Sequence, residues 1–420
     1  MPVFTSTHFA SASASGKDWR DTSKKVLEKL ESVRTESDSY NFGFIYITDE
    51  LADDASSIYN LFRSVLKINN WVGSIGMGIV GCHESLINKP SISVMIGSFP
   101  EGSFRVFPES ENDDDAIENS KPNNIPNDAV EQWLIENTPL LGVVHADPLS
   151  EDNQQDALKE LETNTNSFLV GGMTSSRSLH FQIANGVFSN TLNGAFFADT
   201  VPVSTTLSQG CRPFEAVHTI TKSDENIILE LDDRRALDVL QEDLKDLASA
   251  KMQKSIGEFG GSFTTIESSD RIPEEFKTLF QGQVHAALSL SQSDQKDFLV
   301  RNISAMDPDE GSFSISESIS NGDSLFFVER NQDSITSDLS KTLINLRKRV
   351  TAERGCFEPK GALYISCIAR GFSDDEAAVE NEMALLRDII GEIPMTGFYA
   401  GGEINNARLY SYTGILTLFF

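Results

Sequence analysis

Apolar residues recur along this chain in short unbroken runs that alternate with amphipathic stretches of helical period, and the whole alternation repeats. Residues 42–48 form a continuous apolar run, the pattern of a strand covered on both faces. Asp49, Asp53 and Asp54 then bring negative charge to a helix start, where the positive end of the dipole favours it. Ile58, Leu61, Phe62, Val65 and Leu66 continue at helical spacing. A second strand at 71–75 stops at Gly76-Met77-Gly78, and a strand at 92–99 ends the unit. The pattern returns at 140–145, with a helix opened by Asp152 and carrying Ala157, Leu158 and Leu161. A short strand at 168–170 follows, ended by Gly171-Gly172, then strands at 179–183 and 194–197. The third copy begins with a strand at 363–368. Ser373 and Glu376 suit a capping box, in which hydroxyl and carboxylate satisfy each other's helix-end donors. Met383, Leu386, Ile389 and Ile390 make the apolar face, residues 397–400 run into Gly401-Gly402, and the last strand is 414–420.

What ordinary strand–helix alternation does not require is a Gly pair after the second strand each time. Glycine there permits positive φ and close approach of backbone to another group, which is either packing or a ligand lying over exposed N–H groups. No Gly-Lys-Ser/Thr occurs at these turns, so they are not phosphate loops. Outside the copies, residues 18–33 predict an amphipathic helix with Val26, Leu27, Leu30 and Val33 on one face. Residues 109–128 read as a polar surface loop, and 233–247 and 335–350 as helices. A hairpin is expected where strands at 313–319 and 325–328 flank Asn321-Gly322. The expected fold is α/β (α+β): two related domains built from repeated β-α-β-β units, with mixed sheets flanked by helices.

Charge narrows the partners. With 63 acidic and 34 basic residues, a formal −29, the chain repels nucleic-acid phosphates and anionic membranes, so neither is expected as a partner. No stretch approaches the roughly 20 apolar residues of a membrane helix, and the N-terminal residues lack the basic and apolar regions of a signal peptide. A cytoplasmic protein is expected. The four cysteines make no CxxC pair and have no zinc-like spacing to histidine, consistent with reduced thiols. Phe is abundant, 27 against 3 Trp and 7 Tyr, so the cores should be Phe-rich.

Candidate chemistry is sparse. Cys211 stands beside Arg212, whose positive charge would favour a thiolate; the alternative is a small buried Cys beside an Arg paired to a carboxylate. His218 follows a few residues later. Cys367 and Arg370 lie at the carboxyl end of a strand, where α/β sheets bind ligands. Arg370 could clamp a carboxylate, or satisfy helix carbonyls or Asp374. Glu403 follows the last Gly pair and suits either a cap or an amine. An amino-acid site would then use Arg212, Arg370 and Glu403 as polar anchors, with Phe398 and Tyr399 as an apolar wall. Backbone donors would come from Gly76, Gly171, Gly172, Gly401 and Gly402. The histidines do not cluster, no covalent-haem motif occurs, and no complete catalytic motif is present, so the chain is not read as an enzyme.

The segments GSIGMGIVG, GVVHADP, FLVGGMTSS, LSQGCRPFEAVHTIT and ILELDDRRALDVL resemble the N-terminal FIST domain. GALYISCIARGFSDDE and GEIPMTGFYAGGEI resemble the C-terminal FIST domain. The resemblance implies an N-terminal segment at 1–34, a FIST N-terminal domain at 35–232 and a FIST C-terminal domain at 233–420. It also implies an intracellular sensory module of the stand-alone bacterial type, binding a small ligand such as an amino acid. Some bacterial relatives are haem-binding nitric oxide sensors, and eukaryotic relatives carry an F-box and act as ubiquitin-ligase receptors. No F-box or output domain is read in this sequence, so a signalling partner in trans, such as a histidine kinase, is implied. No haem-ligand histidine carries over by motif. The alternatives left open are a haem-based nitric oxide sensor and an enzyme using Cys211 or Cys367.

Overall fold

The computed structural model describes residues 8–33, 39–108, 128–259, 283–290, 298–371 and 376–420. The chain forms two compact units, Met1–Gln209 with Leu339–Phe420, and Gly210–Asp338. The expected loop up to residue 127 and the Ser373 capping box lie outside the described residues.

All three sequence copies fall in the first unit. Its first part runs β1 (Phe9–Ser15), α1 (Trp19–Val33), β2 (Phe42–Thr48), a short 3-10 segment (Asp49–Asp54), α2 (Ala55–Leu66), β3 (Asn70–Gly76), β4 (Gly78–Gly81), β5 (Glu84–Ile87), β6 (Ser91–Gly97) and β7 (Phe104–Phe107). The second copy follows as α3 (Asp128–Glu136), β8 (Pro139–Ala146), α4 (Gln154–Thr165), β9 (Phe168–Met173), β10 (Gln182–Ala184), β11 (Val187–Phe188), β12 (Leu192–Ala198) and β13 (Val203–Ser208). The second unit holds β14 (Arg212–Pro213), β15 (His218–Asp224), β16 (Ile227–Leu231), β17 (Arg234–Arg235), α5 (Ala236–Phe259), β18 (Val284–Ser289), β19 (Phe298–Arg301), β20 (Ile303–Asp307), β21 (Ser312–Ile315) and β22 (Ser324–Glu329). The chain ends with α6 (Gln332–Arg354), β23 (Gly361–Cys367), α7 (Ile368–Gly371), α8 (Glu376–Ile390), β24 (Met395–Ala400), β25 (Glu403–Asn405), β26 (Arg408–Tyr410) and β27 (Gly414–Phe419).

The three sheets of the first unit share one strand order: β1-β6-β2-β3-β10-β11, β7-β12-β8-β9-β25-β26 and β13-β27-β23-β24-β4-β5. In each, a parallel pair is flanked by an antiparallel strand of the same copy on one side. On the other side lies a hairpin lent by a different copy, so the three copies exchange hairpins in a cycle. The hairpin turns need left-handed backbone, met at Cys82-His83 (φ 49° and 62°), at Asn185 (φ 55°) before Gly186, and at Asn406-Ala407 (φ 50° and 56°).

Strand alternation sorts the apolar residues. In β2, Phe42, Phe44 and Tyr46 enter a central core with Val143, Val170, Leu363, Ile365 and Phe398, while Ile45 and Ile47 face α1 and α2. The other two sheets are backed in the same way, by α3 and α4 and by α6 and α8. The central core contains a Phe cluster: Phe42 lies 4.9 Å from Phe44, 5.5 Å from Phe99 and 5.3 Å from Phe197 between ring centroids.

Several expectations are corrected. Gly171 and Gly172 lie inside β9 rather than ending it. Helix α4 is capped by Asn153, whose side chain accepts from the N–H groups of Gln155 and Asp156, so Asp152 is not the opener. Val33 and Val65 are exposed, and β1, a Ser/Ala alternation, was not expected. The hairpin at Asn321-Gly322 does not form. β21 pairs with β16 and β20, whereas β22 pairs with β14, β15 and β18. Gly322 N–H donates to Ile220 O instead, so the local turn signal yields to sheet pairing. Helix α5 covers this second sheet with Leu237, Leu240 and Leu244.

Candidate functional site

The inner faces of the three sheets can be compared row by row, because residues in register across a sheet project to the same side. At one level the β23-containing sheet presents Ile415, Ile365, Phe398, Ile79 and Leu86, all apolar and buried. The equivalent row in the β2-containing sheet is Ser93, Tyr46, Ser74, Gln182 and Phe188. In the β8-containing sheet it is Asn193, His145, Gly172, Glu403 and Tyr410. Two polar rows thus meet an apolar one inside the first unit.

The polar side chains are knitted together. The Tyr46 hydroxyl lies 3.0 Å from His145 Nε2, and Phe398 stacks on Tyr46 with centroids 5.1 Å apart. Ser74 Oγ is 2.8 Å from Thr174 Oγ1, to which Gln182 Nε2 donates at 2.8 Å. Thr413 donates to Glu403 Oε2 from both its N–H and its hydroxyl, each at 2.9 Å. Four buried atoms of these rows nevertheless make no hydrogen bond of ordinary geometry among the described residues: His145 Nδ1, Gln182 Oε1, Asn193 Oδ1 and Glu403 Oε1. Buried polar groups are satisfied in the great majority of cases, so four orphans in one layer call for an explanation. Burial holds the Glu403 carboxyl up at about 7, against the hydrogen bonds from Thr413, that from the Cys367 thiol and the charge of Arg370. Burial also keeps His145 neutral, with its pKa lowered to about 3.

Of the residues picked from sequence, Cys367, Arg370 and Glu403 are brought into one neighbourhood, and Glu403 joins the layer. The Cys367 thiol lies beside the Glu403 carboxyl; burial first, and that carboxyl next, push its pKa far up, so it is held as a thiol. Arg370 is buried and engaged. Its Nε and Nη2 reach Glu382 Oε2 at 3.2 Å each, and Nη1 donates to Ser208 O at 3.3 Å. Glu382 Oε1 also accepts from Tyr364 at 2.6 Å and Ser366 at 3.2 Å. The expected wall of Phe398 and Tyr399 is corrected: neighbours on a strand point to opposite faces, so Phe398 enters the layer while Tyr399 faces the helices and bonds Ser85 Oγ at 2.6 Å. The glycines pack. A Cβ on Gly172 would lie 2.6 Å from Ala400 Cβ, and one on Gly76 would lie 2.7 Å from Gly78 O. Gly401 N–H donates to Met173 O, and Gly402 O accepts from Met173 N–H.

Cys211 and Arg212 belong to the second unit. Cys211 is buried, and the exposed Arg212 guanidinium lies 3.6 Å from Glu329. His218 does not serve Cys211: its Nδ1 is 2.7 Å from Asp232 and its Nε2 is 3.0 Å from Asp243. A neutral imidazole carries one N–H, so meeting both carboxylates requires the charged ring. Burial opposes that charge, but the hydrogen bonds and charges of the two aspartates outweigh it and raise the pKa. The stability this contributes is complete below the ordinary imidazole value and is lost as pH rises through the raised one. Wild-type protein should therefore lose more melting temperature than His218→Gln between about pH 6 and about pH 9. Parallel calorimetric profiles for the two proteins would count against the clamp.

Two histidines are already engaged or enclosed. His218 has both nitrogens on carboxylates, and His145 is closed in by the rings of Tyr46 and Phe398, 5.6 and 5.8 Å away. Sequence reasoning missed Tyr46, His145, Gln182, Asn193 and Glu382. The signal for His145 was present, as a lone polar residue on the inward positions of an apolar strand.

No helix among the described residues is long and apolar enough to cross a membrane. The FIST N domain model matches residues 41–234 and the FIST C domain model residues 236–406. An uncharacterized protein of Mycobacterium tuberculosis is 26% identical over 248 residues, covering 56% of this chain and 54% of the relative. One of Mycobacterium bovis is 28% identical over 226 residues, covering 52% and 50%. The chain spans about half the length of these curated relatives. With both domain models matched in order over nearly its whole length, the chain belongs to the FIST family of signal-transduction sensory domains.

Proposed function

We propose that the protein is a cytoplasmic sensory module that binds a small ligand in the polar layer of its first unit and acts through a partner protein in trans. The observation carrying this reading is the set of four unsatisfied buried atoms in a layer whose third row is wholly apolar. Ile365, Phe398 and Ile79 fill the equivalent positions without any polar group, so the fold does not need His145, Gly172 and Glu403 there. Polar groups convergent against an apolar plate are the usual make-up of a small-molecule site. Gly401 is exposed two residues before the buried Glu403, which places solvent close to that carboxyl along the chain.

The test is a thermal-shift screen of small metabolites on the full chain. A ligand at a hundredfold excess over its Kd adds about 2.7 kcal/mol to the folded state. Glu403→Gln and His145→Phe should each abolish the shift while the protein stays folded. A shift that persists unchanged in both variants removes the layer as the site. The enzyme reading loses its support at Cys367, because a buried thiol held far above its ordinary pKa is not a nucleophile at neutral pH.

A further inference from the structure

Outside the polar layer, the first unit holds an open cleft of about 370 Å³ where β1, the β4–β5 turn and the segment leading into β24 meet. That volume lies within the range of about 300–1,000 Å³ found for small-molecule sites. Its polar wall is Ser11, Cys82, His83, Arg387 and Glu392, and Phe9 and Val33 line part of the rest. We propose that this cleft is a redox-modification site, in which Cys82 forms a mixed disulfide with a low-mass thiol that carries a carboxylate and an ammonium group. The proposal is independent of the polar layer, none of whose side chains lines the cleft.

Access selects the thiol. Cys211 and Cys367 are buried, Cys82 and Cys356 are exposed, and of the exposed pair only Cys82 lines the cleft. Ser11 Oγ accepts from Met395 N–H at 3.1 Å and lies 3.7 Å from Cys82 Sγ, so its own hydrogen can point at the sulfur and fix its place on the wall. The turn also departs from its two counterparts. In each exchanged hairpin the first left-handed residue donates its N–H to the receiving strand: Cys82 to Met395 O, Asn185 to Trp71 O and Asn406 to Leu169 O. Asn visits that conformation readily and Cys does not, so local turn chemistry does not account for a thiol at φ 49°.

Two opposite charges stand beside the thiol. His83, the next residue, bonds Ile393 O through Nε2 at 3.1 Å. Burial lowers its pKa against that bond, the charge of Arg387 lowers it further and that of Glu392 raises it, so both charges are felt one residue from Cys82. The Arg387 side chain is 47% exposed and, among the described residues, stands 3.8 Å from the carboxylate of Asp388, too far for a hydrogen bond. Its donors can therefore meet a ligand carboxylate. In a chain of formal charge −29 an anionic ligand needs such a local cation. The exposed Glu392 supplies a partner for the ligand's ammonium. In the reaction the Cys82 thiol gives up its proton and the thiolate attacks one sulfur of a disulfide RS–SR. The new bond from Cys82 Sγ to one RS sulfur forms as the S–S bond of the disulfide breaks, and the leaving thiolate takes up the proton as RSH. The disulfide is the oxidant, and a second thiol reverses the step. An occupied cleft thus gives the sensory module a redox input.

The experiment treats the full-length protein with oxidised glutathione and follows thiolation of each cysteine by peptide mass spectrometry. Cys356, exposed and outside the cleft, is the internal control. Cys82 should be thiolated at least about tenfold faster than Cys356, because the cleft pre-positions the disulfide. Arg387→Gln should slow Cys82 about fivefold and leave Cys356 unchanged, which also reports that the variant is folded. The advantage of Cys82 should shrink with bis(hydroxyethyl) disulfide, which is uncharged, and with cystamine, which has no carboxylate. Glu392→Gln should slow oxidised glutathione at Cys82 and leave dithiodipropionate, which has no ammonium, unaffected. Equal rates at Cys82 and Cys356, or a Cys82 rate indifferent to Arg387→Gln, would overturn the site. Dithiodipropionate reacting as fast as oxidised glutathione, with neither rate altered in Glu392→Gln, would overturn the ammonium requirement.

Discussion

Replacing Arg370 by alanine is expected to cost about 3–5 kcal/mol, the range for removing one partner of a buried ion pair. The guanidinium has a fully buried side chain, and Glu382, its partner, is itself only 6% exposed in its side chain. Without Arg370 the Glu382 carboxylate stays enclosed with Tyr364 and Ser366 and has no counter-charge. Restoring neutrality should recover much of the loss. In Arg370→Met with Glu382→Gln, the amide oxygen can still accept from Tyr364 and no charge is buried. Urea unfolding midpoints of the wild type, the single and the double variant check this. A single variant within about 1 kcal/mol of wild type would show that the pair is not a structural element and would return Arg370 to candidacy as a ligand anchor.

A comparable loss is expected from Gly397→Ala. A Cβ there would lie 1.7 Å from Tyr364 O on the neighbouring parallel strand, a backbone atom that cannot turn aside. Gly73 and Gly171 occupy the equivalent register in the other two sheets, 1.7 Å from Ile45 O and 1.8 Å from Val144 O. Overpacking a rigid interior costs about 1–3 kcal/mol and more where backbone must move. Each Ala variant should therefore fall at or beyond about 3 kcal/mol. Gly102 is a useful contrast. It has φ +75° but no atom within 4 Å of a built Cβ, so Gly102→Ala should cost only the left-handed backbone penalty of about 1–2 kcal/mol. Thermal or urea denaturation of the four variants tests the ranking. A Gly397→Ala protein as stable as Gly102→Ala would mean the parallel pair can separate without cost.

The three glycines also bear on how the repeat reads from sequence. The recurrent turn after each second strand was visible as Gly76, Gly171-Gly172 and Gly401-Gly402. Its physical reason lay partly elsewhere, in Gly73, Gly171 and Gly397, which let each parallel pair close backbone to backbone. Register could not be read from one strand alone, so the glycines in the middle of strands were not separated from those at the ends. The exchange of hairpins was equally hidden. A hairpin's turn chemistry is local, and β4–β5, β10–β11 and β25–β26 would look the same whether they paired within their own copy or with another.

For the site, residue type marked some members and misled on others. Glu403 and Cys367 stood out because ionisable or nucleophilic groups at a strand end are unusual, and they do meet. Arg370 stood out for the same reason, but its partner Glu382 lies a helix away and had no local signature. Phe398 and Tyr399 were paired because they are adjacent, yet adjacency on a strand separates side chains onto opposite faces. His218 and Cys211 were considered together for nearness in sequence, and the imidazole turned instead to two aspartates drawn from β16's end and from α5.

The sequence by itself determined the strand–helix alternation, its three repeats, the family and a Phe-rich interior, because each follows from side-chain periodicity or local composition. The tertiary structure alone decided that the repeats share one unit, that their hairpins are exchanged, and that Tyr46, His145, Gln182 and Glu403 lie in one buried layer. Those outcomes depend on which strands pair and in what register, and pairing is a contest between distant segments that no short stretch of chain can settle.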